Sequence, residues 1–120
     1  MTLDVVTEGG VTFVEGSPSV PVASGADVVT AVIEASFGAR AEGAVVYAEQ
    51  LPPAFFDLSS RVAGEALQRL RNYGVRLAVV VPPGWDGGSS RFGEMVAEER
   101  RGRDFGLFES RAAAVRWLTE

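Results

Sequence analysis

The stretch RVAGEALQRLRNYGVRLAVVV, from Arg61 to Val81, decides the fold because a helical pattern leads directly into an apolar strand. The helix is predicted from Ser60 to Asn72, and Gly74 is a typical helix stop. Its apolar side comprises Val62, Ala63, Ala66, Leu67 and Leu70. Val75 to Val81 follows as a mostly apolar strand, which Pro82-Pro83-Gly84 stops. This succession is typical of the crossover unit of an α/β domain.

The chain upstream begins with a predicted β-hairpin. Thr2 to Thr7 and Val11 to Glu15 are rich in β-branched residues, and Glu8-Gly9-Gly10 between them is a turn signal. The two prolines between Gly16 and Pro21 exclude that segment from a central strand, because proline cannot donate to a sheet ladder. The segment is therefore expected to be a loop or a broken edge strand.

A first helix is predicted from Gly25 to Phe37, with Ser24 as its N-cap and Gly38 as its stop. Its apolar stripe comprises Val28, Val29, Val32, Ile33 and Phe37. Ala44 to Ala48 follows as a short apolar strand of the kind that is buried on both faces of a sheet.

Downstream of the central strand, a loop from Trp85 to Ser90 leads into a third predicted helix that ends near Arg101. Phe105 to Phe108 is a short strand, and Ser110 caps a last helix. The apolar side of that helix comprises Ala113, Ala114, Trp117 and Leu118. The order β-β-α-β-α-β-α-β-α predicts one α/β domain over residues 1–120, with a mixed, mostly parallel sheet covered by about four helices.

Composition excludes several classes of function. The chain contains no His and no Cys, and all 11 basic residues are Arg, so imidazole bases, thiol nucleophiles, Schiff-base lysines and the usual zinc ligand sets are absent. The net charge of −5 argues against nucleic-acid binding. We find no signal peptide and no apolar run long enough for a membrane span, and we expect a cytoplasmic protein with no cofactor and no metal.

The segment FFDLSS, from Phe55 to Ser60, connects the second apolar strand to the main helix. Asp57, Ser59 and Ser60 are each good N-cap residues, since their oxygens can accept hydrogen bonds from a helix start. Phe55, Phe56 and Leu58 would anchor the loop in the core. Capping explains most of the segment without a reactive site.

Glu65 needs a separate explanation because its position lies near the apolar side of the predicted helix. It could form an ordinary surface ion pair with Arg61 or Arg69, four residues away. Alternatively, it could face a pocket together with Glu49 and Asp57, where paired carboxylates could act as acid and base. These three acidic residues are the candidate catalytic residues.

The glycine-rich stretch GWDGG follows the central strand and precedes a helix, which is the context of an anion-binding loop. It contains no basic residue, and Asp86 would repel a phosphate. A plain connection is one interpretation; a binding loop or lid with Trp85, Asp86 and Arg61 at a pocket is the other.

The central part of the chain carries a longer pattern. It consists of Glu49, Leu51, Phe55 to Leu58, Ala63 to Glu65, Leu67-Gln68, Asn72-Tyr73, Val75, Leu77-Ala78 and Val79-Val80. This pattern resembles a bacterial family catalogued as domain of unknown function 4180, over about residue 44 to the C-terminus. The family label implies a fold and no activity.

A wider resemblance is to STAS domains, the fold of anti-sigma factor antagonists. The segments FFDLSS, RVAGEALQRLRNYG, VRLAVVV and FGLFESRAAAVRWL follow the order of that fold. In antagonists a serine at the helix start is phosphorylated by a partner kinase, and Ser59 or Ser60 would occupy that place. Arg61 stands where those domains usually have glycine.

Two functions follow from these patterns. The first is a non-enzymatic regulatory or binding domain, with Ser59 or Ser60 as a phosphorylatable switch. The second is a small-molecule-binding or enzymatic accessory protein of a bacterial secondary-metabolite pathway, with carboxylates in a pocket. Partners would be a protein or a small molecule. A homodimer through the hairpin edge or the last helix is a further hypothesis, although Trp117 is expected to be a core residue.

Overall fold

A computed structural model describes residues 3–16, 25–51, 53–57, 61–85, 93–98 and 104–120, except for the side chains of residues 25–29 and 53. Five strands are present: β1 (Asp4–Glu8), β2 (Val11–Glu15), β3 (Gly43–Tyr47), β4 (Arg76–Val80) and β5 (Phe105–Phe108). The helices are α1 (Gly25–Ala39), α2 (Val62–Asn72), α3 (residues 93–98) and α4 (Arg111–Thr119). Two 3-10 helices, Ala48–Gln50 and Pro53–Phe56, follow β3.

The strands form one sheet in the order β1-β2-β3-β4-β5. The hairpin strands β1 and β2 are antiparallel, and every later neighbour pairs in parallel. The described part of the chain is therefore an α/β fold with a five-stranded mixed sheet and four α-helices, and the predicted element order is confirmed.

The period-2 alternation of the strands divides the core between two faces of the sheet. On the first face, Ala44, Val46 and Leu77 pack in one cluster with residues of α1 and α2, and Met95 of α3 packs against it. On the second face, Val45 and Ala78 pack with residues of α4. Crossovers of one hand place their helices on one face of a sequentially ordered sheet, and among the described helices it is α4 that packs on the other face.

The end of α1 differs from the prediction. The helix continues through Gly38 to Ala39, and Arg40 takes the left-handed conformation that was expected of a glycine, with φ of 56°. The amide of Ala41 donates to the carbonyl of Ser36 at 2.9 Å, which closes the helix as a Schellman motif. Phe37 is 67% exposed, so its assignment to the apolar stripe that faces the core was wrong.

The start of α2 also differs from the prediction. Its N-cap is Arg61, with φ of 65° and no side-chain capping bond, whereas Asp57, Ser59 and Ser60 were the predicted caps. The first helical residue is Val62, two residues later than predicted. The C-terminal end is as predicted, with Gly74 at φ of 69°.

The last helix, α4, has the N-cap and the buried tryptophan that its sequence predicts. The Oγ atom of Ser110 accepts from the amide of Ala113 at 3.2 Å, which confirms the predicted N-cap. Trp117 is 9% exposed and packs against Phe108, so it is a core residue. The guanidinium of Arg76 lies 4.2 Å from the Trp117 ring and donates to the Trp117 carbonyl oxygen at 3.1 Å.

Candidate functional site

The three candidate carboxylates lie on elements that follow β3. Glu49 is in the first 3-10 helix, Asp57 follows the second, and Glu65 lies in the first turn of α2. All three are exposed. The buried positions of α2 are Ala63, Ala66, Leu67 and Leu70, so Glu65 lies off the buried side. None of the three lines either cleft described below, and their catalytic role stays a prediction.

Of the other predicted site residues, the structure describes Trp85 and Arg61. Trp85 is half-buried, and its ring centroid lies 4.8 Å from that of Phe56. Arg61 is exposed. Ser59, Ser60 and Asp86 lie outside the described residues, so the phosphoacceptor and the loop hypotheses stay predictions.

The aromatic anchor of this region is confirmed. Phe55 is completely buried, and its ring contacts Phe56 and Phe105 edge-on at centroid distances of 5.4 and 6.1 Å. The segment that precedes Asp57 is thereby fixed to the first face of the sheet.

A polar cluster that the sequence did not predict joins the carboxyl ends of β2 and β3 to the end of β1. Arg111, the first residue of α4, donates through Nε and Nη2 to both oxygens of Glu15, at 2.8 and 3.0 Å. The same Nη2 donates to Glu8 at 2.7 Å, and the Tyr47 hydroxyl donates to Glu15 at 3.0 Å. We call these four residues the Glu15 cluster; it ties the hairpin and β3 to α4.

The charges of the Glu15 cluster stabilise one another. Hydrogen bonds to Glu15 and Glu8 raise the pKa of Arg111, which keeps the guanidinium charged. Burial, followed by the hydrogen bond to Glu15, raises the pKa of Tyr47 above its usual value of 10.0. Because the Arg111 charge is taken up by two carboxylates, the cluster has a structural role.

We expect the substitution Glu15→Gln to lower the pKa of Tyr47, because it removes the negative charge that opposes the phenolate. The folded-state pKa of Tyr47 is raised, so its stabilising contribution is complete below pH 10.0 and is lost as the pH rises through the folded value. Alkaline titration of tyrosinate absorbance measures this, and the difference from Tyr47→Phe isolates Tyr47. An unchanged midpoint in Glu15→Gln would contradict the contact.

A second unpredicted feature is a cleft between the C-terminal ends of α1 and α2. It has a volume of about 280 Å³ and is lined by Ser36, Phe37, Arg40, Ala41, Tyr73 and Val75. We call it the aromatic cleft. Phe37 and Tyr73 are 67% and 53% exposed, and their rings meet edge-on at 5.4 Å.

The ends of both helices shape the aromatic cleft. Arg40 and Gly74 hold left-handed conformations, and the amide of Val75 donates to the Leu70 carbonyl at 2.9 Å. Ser36 is only 4% exposed, and its Oγ atom has no hydrogen-bond partner among the described residues. The cleft thus combines two exposed rings, a guanidinium and a buried hydroxyl.

A further cleft of about 350 Å³ lies beside the Glu15 cluster. Its lining comprises Glu8, Gly9, Arg111, Ala112, Val115, Arg116 and Thr119. Within the described ranges, no group of three or more acidic side chains is placed to hold a metal ion. None of the helices in the described part of the chain is long and apolar enough to cross a membrane.

Comparison with known proteins gives one match. The model of a family described as Domain of unknown function (DUF4180) matches residues 10–118, which include all of the elements except β1. No curated protein and no solved structure matches the chain.

Proposed function

The chain belongs to the family described as Domain of unknown function (DUF4180), and we propose that it is a non-enzymatic regulatory or binding domain that acts through a partner protein. Its binding surface is the aromatic cleft. The cleft lies at the edge of the sheet where β3 and β4 begin, because α1 leads into β3 and α2 leads into β4.

The exposed ring pair carries the proposal. Phe37 and Tyr73 contact each other yet leave more than half of each side chain in water. A folded chain gains stability by burying such rings, and aromatic residues and Arg are both enriched in the buried centres of protein interfaces. Arg40 lines the same cleft. A partner that covers the two rings would remove this apolar surface from water.

Residue types favour binding over catalysis. The chain has no His, Cys or Lys, which are the side chains most often used as nucleophiles or as bases near neutral pH. The Glu15 cluster uses its guanidinium to join elements of the fold. These observations support a domain that works by contact.

We expect the double variant Phe37→Ala/Tyr73→Ala to lose its partner. Proteins that copurify with the wild type would be identified by mass spectrometry, and the purified partner would be titrated by calorimetry. Loss of two central rings should weaken binding by at least about tenfold, because such residues each contribute 1 kcal/mol or more. Val5→Ala, which truncates another exposed apolar residue at 57% exposure, is the matched control. Equal affinity of wild type and double variant would refute the proposed surface.

We also propose a STAS-like switch at the start of α2, with Ser59 or Ser60 as the phosphoacceptor. The support is the order of the strands and helices, together with the position of these serines just before the helix. A phosphate there would add nearly two negative charges beside the positive end of the helix. Mass spectrometry of the wild-type protein from its native cells tests this switch. Absence of phosphate from both Ser59 and Ser60 under all growth conditions would count against it.

The alternative proposal is a small-molecule-binding or enzymatic accessory role that uses Glu49, Asp57 and Glu65. It is supported only by their common location after β3, at the carboxyl ends of parallel strands, where α/β proteins bind ligands. A ligand that raises the melting temperature of the wild type but not that of Glu65→Gln would support this role.

A further inference from the structure

We infer that the aromatic cleft binds a segment of the partner protein that presents an apolar side chain next to a carboxylate. The inference rests on the proposed function, since it names the chemistry of the group that enters the same cleft. It is carried by three observations: the ring pair, the position of Arg40, and the unpartnered hydroxyl of Ser36.

The walls of the cleft fit one apolar side chain. A volume of about 280 Å³ is at the small end of protein ligand sites, and Ala41 and Val75 add apolar lining to that of the two rings. Phe37 and Tyr73 meet edge-on, so a ring face stays available for a third apolar or aromatic group.

Arg40 supplies the charge selectivity. It lines the cleft, is exposed, and has no ion-pair partner among the described residues. By contrast, Arg71 and Arg111 are paired with Asp104 and Glu15. A guanidinium binds a carboxylate through charge-assisted hydrogen bonds, so an acidic group of the partner is favoured over a neutral or basic group.

Ser36 points to a hydrogen-bonding ligand independently of the rings. A buried hydroxyl without a partner is costly to the folded state, and Ser36 is 4% exposed with its Oγ unpartnered in the described chain. Ser36 is one of the residues that line the cleft, and a polar atom of the ligand that reaches its hydroxyl would supply the missing partner.

The cleft is preformed, which lowers the entropic cost of binding. The Ala41 amide bonds to the Ser36 carbonyl, and the Val75 amide to the Leu70 carbonyl, each at 2.9 Å. These bonds fix the two helix ends that carry the rings. Binding therefore needs little ordering of the backbone.

The test uses N-acetyl-phenylalanine as the probe, with its uncharged amide, N-acetyl-phenylalaninamide, as the matched ligand. Titrations of the full chain are followed by amide chemical shifts in NMR. We expect shifts centred on residues 36–41 and 73–75, with the acid bound roughly three- to tenfold more tightly than the amide. Arg40→Gln should remove that preference, whereas Arg69→Gln, an exposed control on α2, should keep it.

Ser36→Ala separates a ligand role from a structural one. We expect the variant to unfold at the same or a higher denaturant concentration, because an unpaired hydroxyl is removed, and to bind the acid about threefold more weakly. A variant that loses stability and keeps its affinity would overturn the role of Ser36.

The two proposals fail differently. Equal affinity for the acid and the amide at the cleft overturns the inferred carboxylate and leaves partner binding intact. Absence of any shift at the cleft for either probe overturns the inference as well. Failure of the proposed function is shown separately, by a purified partner whose affinity is unchanged in Phe37→Ala/Tyr73→Ala.

Discussion

Replacement of Trp117 by alanine is expected to lower the free energy of unfolding by about 3–5 kcal/mol, the range for truncation of a large buried aromatic. Trp117 contacts Phe108 and the guanidinium of Arg76, on the face of the sheet where α4 packs. Among the described helices no second one is placed to fill the space, because α1, α2 and α3 pack on the opposite face. Urea unfolding followed by circular dichroism measures the loss.

The control for Trp117 is Arg116→Ala, at the exposed neighbouring position of the same helix. Its effect should stay within about 0.5 kcal/mol, as for most surface substitutions. If both variants lost the same stability, α4 would be held by its backbone and caps, and the assignment of a second core would be wrong.

Replacement of Gly16 by alanine should cost about 1–3 kcal/mol, the range for overpacking of a filled core. A Cβ atom at Gly16 would lie 2.7 Å from Nε2 of Gln50, which is 0% exposed. The amide of Gln50 cannot move away freely, since its Oε1 accepts from the Tyr47 backbone at 3.1 Å. Chemical unfolding measures the loss.

The matched control for Gly16 is Gly64→Ala on the exposed side of α2, where an added Cβ meets nothing within 4 Å. Because alanine is the better helix former, this variant should gain about 0.5–1 kcal/mol. Stabilisation by both substitutions would contradict the close approach of Gly16 to Gln50.

The fold was predictable where local chemistry determines the structure. The apolar run that ends at Val81, the strand Phe105–Phe108 and the Ser110 cap all depend on neighbouring residues, and the structure confirms them. The end of α1 was not predictable in this way. Arg40 adopts a conformation that favours glycine, and a helix that continues through Gly38 violates the usual stop signal.

The candidate sites depend on contacts between distant residues. Arg111 is 96 positions from Glu15 in the sequence, and only the register of β2 against β3 and the position of α4 bring them together. The contact between Phe37 and Tyr73 requires the C-terminal ends of α1 and α2 to lie side by side. No single segment of the sequence determines that arrangement. The sequence marks one of the two rings, because Tyr73 directly precedes the helix stop Gly74. It does not show that Phe37 is the residue that Tyr73 contacts.

Photo-cross-linking at position 73 tests the central claim most directly. Benzoylphenylalanine replaces Tyr73 in the full chain, and native cells that contain this variant are irradiated. A variant with the same replacement at the exposed residue Val5 is the control. We predict one discrete protein adduct from position 73, none from position 5, and loss of the adduct when Phe37→Ala or Arg40→Gln is added. Equal adducts from both positions, or an adduct that survives those two substitutions, would contradict binding through the aromatic cleft.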